Sequence, residues 1–129
     1  MRDSGLWHPR LAALVTDLRH RDTLVVADPG LPVPSHVEVV DLAWTRGEPA
    51  LVPVLAAIAA ELVVEEALVA EELCADAVLD GIARCLPAVP LKRTGHEDLK
   101  ARCHAARAVV RTGEATPYAN VILTAGVPF

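Results

Sequence analysis

The sequence predicts an α/β fold, a single domain over residues 1–129, in which a mostly parallel sheet is covered on both faces by helices as a three-layer α/β/α arrangement. Short apolar, β-branched runs alternate with segments of helical length, an order that builds crossovers onto a parallel sheet. Of the residues, 53% are apolar and 22% charged, which places the chain among globular proteins rather than disordered or fibrous ones. At this length about two-thirds of the unfolded surface is buried on folding, enough for one core.

Pro9 stands where a first helical turn tolerates its missing N–H, and Leu11, Leu14, Val15 and Leu18 follow at helical spacing. Residues 9–20 are therefore predicted to form an amphipathic helix ending near His20. Thr23-Leu24-Val25-Val26-Ala27 is too short for a helix and is bounded by charge on one side and Pro/Gly on the other, so it is the first strand. Asp28-Pro29-Gly30-Leu31 carries proline and glycine where a type II turn wants them and stops that strand at Asp28. Val37 to Leu42 alternates as a second strand, Pro49 or Ala50 to Ala60 is helical in length and composition, and a third strand lies within residues 62–70, around Glu65 to Val69. Residues 71–86 are spaced as a helix with Leu73, Ala77 and Leu79 or Ile82 inward, closed by Pro87 and Pro90. Val89 to Lys92 gives a short strand. Thr94-Gly95-His96-Glu97 reads as a capping box that starts a helix running to about Arg111, with Gly113 as its terminator. Val121 to Thr124 is the last strand.

The formal net charge is −5 and the longest cationic cluster is Lys92-Arg93, so nucleic acid is not an expected partner. The longest charge-free apolar stretch, Pro49 to Ala60, falls short of the ~18 residues that cross a bilayer, and no membrane partner is expected. Arg2, Asp3, Pro9 and Arg10 interrupt the start where a signal peptide needs an apolar region, so the expected location is the cytoplasm. Cys74, Cys85 and Cys103 are odd in number and lack CxxC spacing, and read as small buried thiols. His8, His36 and His104 have no partner at metal-ligand spacing, and no P-loop, nucleophile elbow or dinucleotide fingerprint appears, so neither a metal nor an organic cofactor is expected.

Chemistry-bearing residues cluster instead in loops beside the predicted strands, where α/β proteins place their sites. His20-Arg21-Asp22 and Asp28-Pro29-Gly30 bracket the first strand, and Pro117-Tyr118-Ala119-Asn120 precedes the last, as if two loops met in one site. Histidine titrates near neutrality and suits proton transfer; at the C-terminal end of a helix the dipole would favour its charged form. Asp28, before a rigid turn, could accept a hydroxyl or could cap its own turn. Tyr118 offers an apolar ring face and Asn120 both a donor and an acceptor, a set that suits a sugar. His96, in the first turn of its helix, reads as a neutral hydrogen-bond partner or a surface residue.

These motifs also carry a resemblance. His20-x-Asp22-Thr23-Leu24-Val25-Val26-x-Asp28-x-Gly30-Leu31-Pro32-x-Pro34, Thr112-Gly113-Glu114, Pro117-Tyr118-Ala119-Asn120-Val121-Ile122-Leu123 and Ala125-Gly126-Val127-x-Phe129 resemble the ribose pyranase/fucose mutarotase family, nearer its ribose branch, from about residue 2 to the C-terminus. Asp41, Gly47, Pro49 and Glu71-Glu72 fit as well. The resemblance implies a cofactor-free isomerase that interconverts pyranose and furanose forms of D-ribose, with His20 as proton donor and Asp28, His96, Tyr118, Ala119 and Asn120 binding substrate. It further implies a cytoplasmic homo-oligomer acting in ribose catabolism, typically a decamer of two stacked pentamers. The alternatives are mutarotation of another sugar such as L-fucose, or a non-catalytic sugar-binding subunit. Two positions depart from the pattern: Arg19 stands where a glycine usually precedes the histidine, and Trp7-His8 replaces a leucine-asparagine-like pair.

Overall fold

The computed structural model describes residues 1–129. Along the chain run α1 (Pro9–Asp17), β1 (Thr23–Ala27), β2 (Glu38–Asp41), α2 (Leu51–Ala59), β3 (Val64–Ala70), α3 (Asp76–Cys85), β4 (Leu91–Thr94), α4 (His96–Arg102), a 3₁₀ turn (Cys103–Ala105), β5 (Ala108–Arg111) and β6 (Val121–Ala125). The strands form one sheet in the order β2-β5-β1-β6-β3-β4. Five of them point the same way; β6 alone runs antiparallel, between β1 and β3. No helix is long and apolar enough to cross a membrane.

The pleat sends alternate side chains of β1 to opposite faces, and both faces are covered. Leu24 and Val26 join a core of 22 buried residues that includes Leu11, Leu14, Leu55, Ile58 and Ile82 from α1, α2 and α3. Val25 and Ala27 join a smaller core of 11 with Leu99 of α4, Cys103, Leu31 and Val37. The result is the three-layer arrangement that the sequence predicts, with a heavy helical layer on one side and a light one on the other.

Four local expectations are corrected. Helix α1 stops at Asp17, where Leu18 turns to an extended conformation while its N–H still bonds Leu14 O. His20 therefore lies in the following loop, beyond the last turn in which a helix dipole acts. Residues 71–75 are not helical: Glu71 N–H donates to Thr94 O, extending the β3–β4 ladder, and Arg93 Nη2 donates to Leu73 O at 2.7 Å, so that α3 begins at Asp76. The predicted helix 94–111 is α4, the 3₁₀ turn and then β5, whose Ala108, Val109 and Val110 are wholly buried between β1 and β2. No capping box forms there; Gly95 is the N-cap, and Thr94 Oγ1 donates to Asp98 Oδ2 instead. Gly113 ends no helix either, and a side chain on it would collide with the Glu48 backbone. Finally, Gly30 does not adopt the positive φ of a type II turn, which is confined among glycines to Gly5 and Gly47. The bend is made by Asp28, whose Oδ1 accepts the Gly30 N–H at 2.9 Å.

Candidate active site

The five parallel strands all deliver their following loops to one edge of the sheet, and β6 begins there. At that edge Asp28, Gly30, Leu31, His96, Pro117 and Tyr118 line a cleft of about 230 Å³. Drug-sized ligands occupy roughly 300–1,000 Å³, so this cleft suits a smaller molecule, on the scale of a monosaccharide. A larger hollow of about 420 Å³ is lined by Pro32–Pro34 with Glu97, Lys100, Ala101 and His104.

Asp28 and Asn120 are locked together. Asn120 is fully buried; its Oδ1 accepts the Asp28 N–H at 2.9 Å and its Nδ2 lies 3.4 Å from Asp28 Oδ2. A buried amide that bonds both the backbone and the carboxylate of one residue fixes where that carboxylate points. Tyr118 stands in the left-handed region at φ 61°, rare for a non-glycine residue, and is 41% exposed. Its ring meets the His96 ring edge to face, with centroids 4.9 Å apart at 75°. His96 Nδ1 is buried without any hydrogen-bond partner, a polar atom that a ligand hydroxyl could satisfy. The N–H of His96 faces Glu72, both of whose carboxylate oxygens stand at 3.0 Å from it. Ala119 is buried in the main core and contributes only backbone to the neighbourhood of the cleft.

The structure thus brings together Asp28, His96, Tyr118 and Asn120, and it does not bring His20 to them. His20 precedes β1 and Asp28 follows it; at ~3.3 Å per residue, the positions flanking this strand are about 20 Å apart. The His20 side chain is 53% exposed at the opposite edge of the sheet, and its Nε2 lies 3.0 Å from Glu65 Oε2. Arg21 Nη1 holds the other oxygen of Glu65 at 2.6 Å. The Glu65 carboxyl is held below the ordinary carboxylate range, chiefly by the Arg21 hydrogen bond and also by His20, against partial desolvation.

Sequence reasoning missed Glu65 and Glu72 as neighbours of the two histidines. From sequence Glu65 reads only as part of the third strand, and Glu72 only as a position that fits the family pattern within a predicted helix, so neither is linked to a histidine. Their common signal is acidic residues at the two ends of β3, legible only once β3 is known to sit between β6 and β4.

A model of the RbsD / FucU transport protein family matches residues 1–128. The chain is 52% identical over 130 residues to D-ribose pyranase 1 of Rubrobacter xylanophilus, and 47% identical over 131 residues to D-ribose pyranase of Chloroflexus aggregans, with each chain covered in full. Among solved structures it resembles Bacillus subtilis RbsD complexed with D-ribose, with a TM-score of 0.95 and 39% identity over the whole of both chains.

Proposed function

The chain belongs to the RbsD / FucU transport protein family, and from that premise we propose that it is a D-ribose pyranase, an isomerase that interconverts the pyranose and furanose rings of D-ribose. The observation that carries the reading is the convergence of Asp28, His96, Tyr118 and Asn120 on one small cleft, in a chain matched from end to end by D-ribose pyranases. Those relatives favour ribose over L-fucose.

Ring opening requires a proton on the ring oxygen as the C–O bond breaks, and loss of the anomeric hydroxyl proton as the carbonyl forms. Closure through a different hydroxyl reverses both transfers, so protons balance and no co-reactant is consumed. We assign the donor to His20, a side chain that can change charge near neutral pH. In this reading Asp28 accepts a sugar hydroxyl, His96 Nδ1 takes another, Asn120 holds the Asp28 carboxylate in place, Ala119 lends backbone, and the Tyr118 ring lies against the apolar face of the sugar.

His20 and the cleft occupy opposite ends of one chain, so His20 must come from a second copy. A contact between unlike ends is heterologous, and it closes into rings or runs on as filaments. We assign a ring, in keeping with the decamer that the family resemblance implies, and a cytoplasmic role in ribose catabolism. Exposed Trp7 and Trp44, at 62% and 74%, supply apolar surface for such contacts.

Exchange NMR on D-ribose with catalytic amounts of protein tests the reading, with L-fucose run alongside. The wild type is expected to speed pyranose–furanose exchange, and His20→Ala to lose about 10²–10⁴-fold of that acceleration while still binding ribose. A wild type that binds ribose and never accelerates exchange makes this a non-catalytic sugar-binding protein.

A further inference from the structure

We propose that Glu65 is a positioning residue for His20: its carboxylate holds the ring through Nε2 and leaves Nδ1 as the atom presented to the sugar. This rests on the assignment of His20 above, and four features of the fold converge on it.

The first is the placement of Glu65 itself. Val64 pairs with Ala125 and Glu66 with Thr124, so Glu65 is the extra residue of a β-bulge in β3. Bulges re-aim a side chain out of the regular pleat, and this one turns Glu65 toward the loop before β1. The second is room. A Cβ at Gly126 would stand 3.2 Å from Glu65 Cβ and 3.2 Å from Val63 Cγ1, tighter than ordinary contact, so the glycine there gives the Glu65 side chain room.

The third is backbone strain. Arg21 has φ 72°, a conformation that non-glycine residues adopt rarely and at a cost in free energy, so it persists only where the surroundings impose it. Here they do: Arg21 N–H donates to Ala125 O at 2.9 Å, and Ala125 N–H donates to Asp22 O at 2.8 Å. That turn sends His20 and Arg21 to the same carboxylate, one to each oxygen. The fourth is the occupation of the other nearby charges. Asp22 Oδ2 is taken by Arg19 N–H and by Arg107 Nη1, Glu66 is paired with Lys92, and the Arg19 guanidinium donates to Thr16 and Leu18 carbonyls. Glu65 is the acid left for His20, and the His20 ring makes no second hydrogen bond.

The neutral imidazole bonded this way carries its proton on Nε2, because a carboxylate accepts and cannot donate. Nδ1 is then the basic nitrogen: it takes up a proton to form the imidazolium, gives that proton to the ring oxygen on opening and takes one back on closure, while the Nε2–H bond stays intact. Arg21 in turn fixes the carboxylate from its far side.

Glu65→Gln is the test, because glutamine offers one acceptor oxygen where the carboxylate offers two and cannot serve His20 and Arg21 together. Turnover of ribose is measured as kcat and KM by exchange NMR, and the His20 tautomer by ¹⁵N NMR of the neutral ring. The expected result is a fall in kcat of roughly tenfold or more with KM unchanged, and a single Nε2–H tautomer in the wild type giving way to a mixture in the variant. A variant with wild-type kcat and a single tautomer overturns the proposal. If Glu65→Gln does not assemble, Glu65→Asp is read by the same two criteria, since it keeps the charge but falls a methylene short of spanning both partners. Failure of the assignment of His20 looks different: His20→Ala would then turn over at the wild-type rate, while the tautomer measurement still decides what Glu65 does to the ring.

Discussion

Asn120 carries more of the cleft than its size suggests. It is fully buried, and its amide satisfies the Asp28 N–H while facing the Asp28 carboxylate. Asn120→Ala leaves that backbone donor unpaired in the interior, which costs about 1–3 kcal/mol, and frees the carboxylate to wander. The expected outcome is a lower thermal midpoint at fixed protein concentration, together with weaker ribose binding by calorimetry. Arg19 illustrates the opposite case. It stands where the family pattern has glycine, yet its backbone is not left-handed, and its guanidinium donates to the Thr16 and Leu18 carbonyls at the end of α1. The departure is absorbed locally, and the strained residue of this loop is Arg21.

At the scale of elements, β2 is the edge strand that depends most on charge. Arg10 grips Glu38 at one end of it and Arg111 grips Asp41 at the other, with Nη2–Oε1 at 2.7 Å and Nη1–Oδ2 at 2.8 Å. Both carboxyls are held below their ordinary values, Glu38 first by the Arg10 hydrogen bond and Asp41 first by that from Arg111. A depressed folded-state pKa gives stability that is present above the unfolded value and is lost as pH falls through the folded one. Both carboxylates are partly exposed, so the effect is small and screened by salt. Amide protection factors at Val40 and Leu42, whose N–H groups face β5, corrected for intrinsic exchange, are expected to drop below about pH 4 while those of β1 hold; equal loss in both strands would remove the ion pairs from the account. The same strand pairing explains what the sequence disclosed and what it hid. β1 and β6 were legible because punctuation by charge, proline and glycine brackets each run. β5 was hidden because Ala108 to Arg111 continues a helical spacing from α4, and only the parallel partners β1 and β2 claim it as strand. For the same reason Asp28, Tyr118 and Asn120 were legible as loop residues beside strands. Glu65 was not, because its role comes from a bulge against β6 that no local pattern encodes.

For the whole molecule, the sheet separates the two halves of the proposed site. His20 lies before β1 with Glu65, and Asp28 lies after it with His96, Tyr118 and Asn120. A chain cannot fold its own His20 around a strand of five residues to reach its own cleft. If one copy supplies the histidine and another the cleft, two variants that are each inactive can repair one another. His20→Ala retains an intact cleft, and Asp28→Asn retains an intact His20. Co-expressed in equal amounts, they assemble at random, and a site is complete only when its histidine comes from an Asp28→Asn chain and its cleft from a His20→Ala chain. That pairing arises at one interface in four, so the mixed assembly is expected to regain about a quarter of the wild-type exchange rate per chain. Assemblies of either variant alone stay inactive, which sets the baseline. Were each chain to build its whole site, every site in the mixture would lack one group and the rate would stay at that baseline. Recovery scales with the product of the two variants' fractions as their ratio is changed, and falls to the baseline at either extreme.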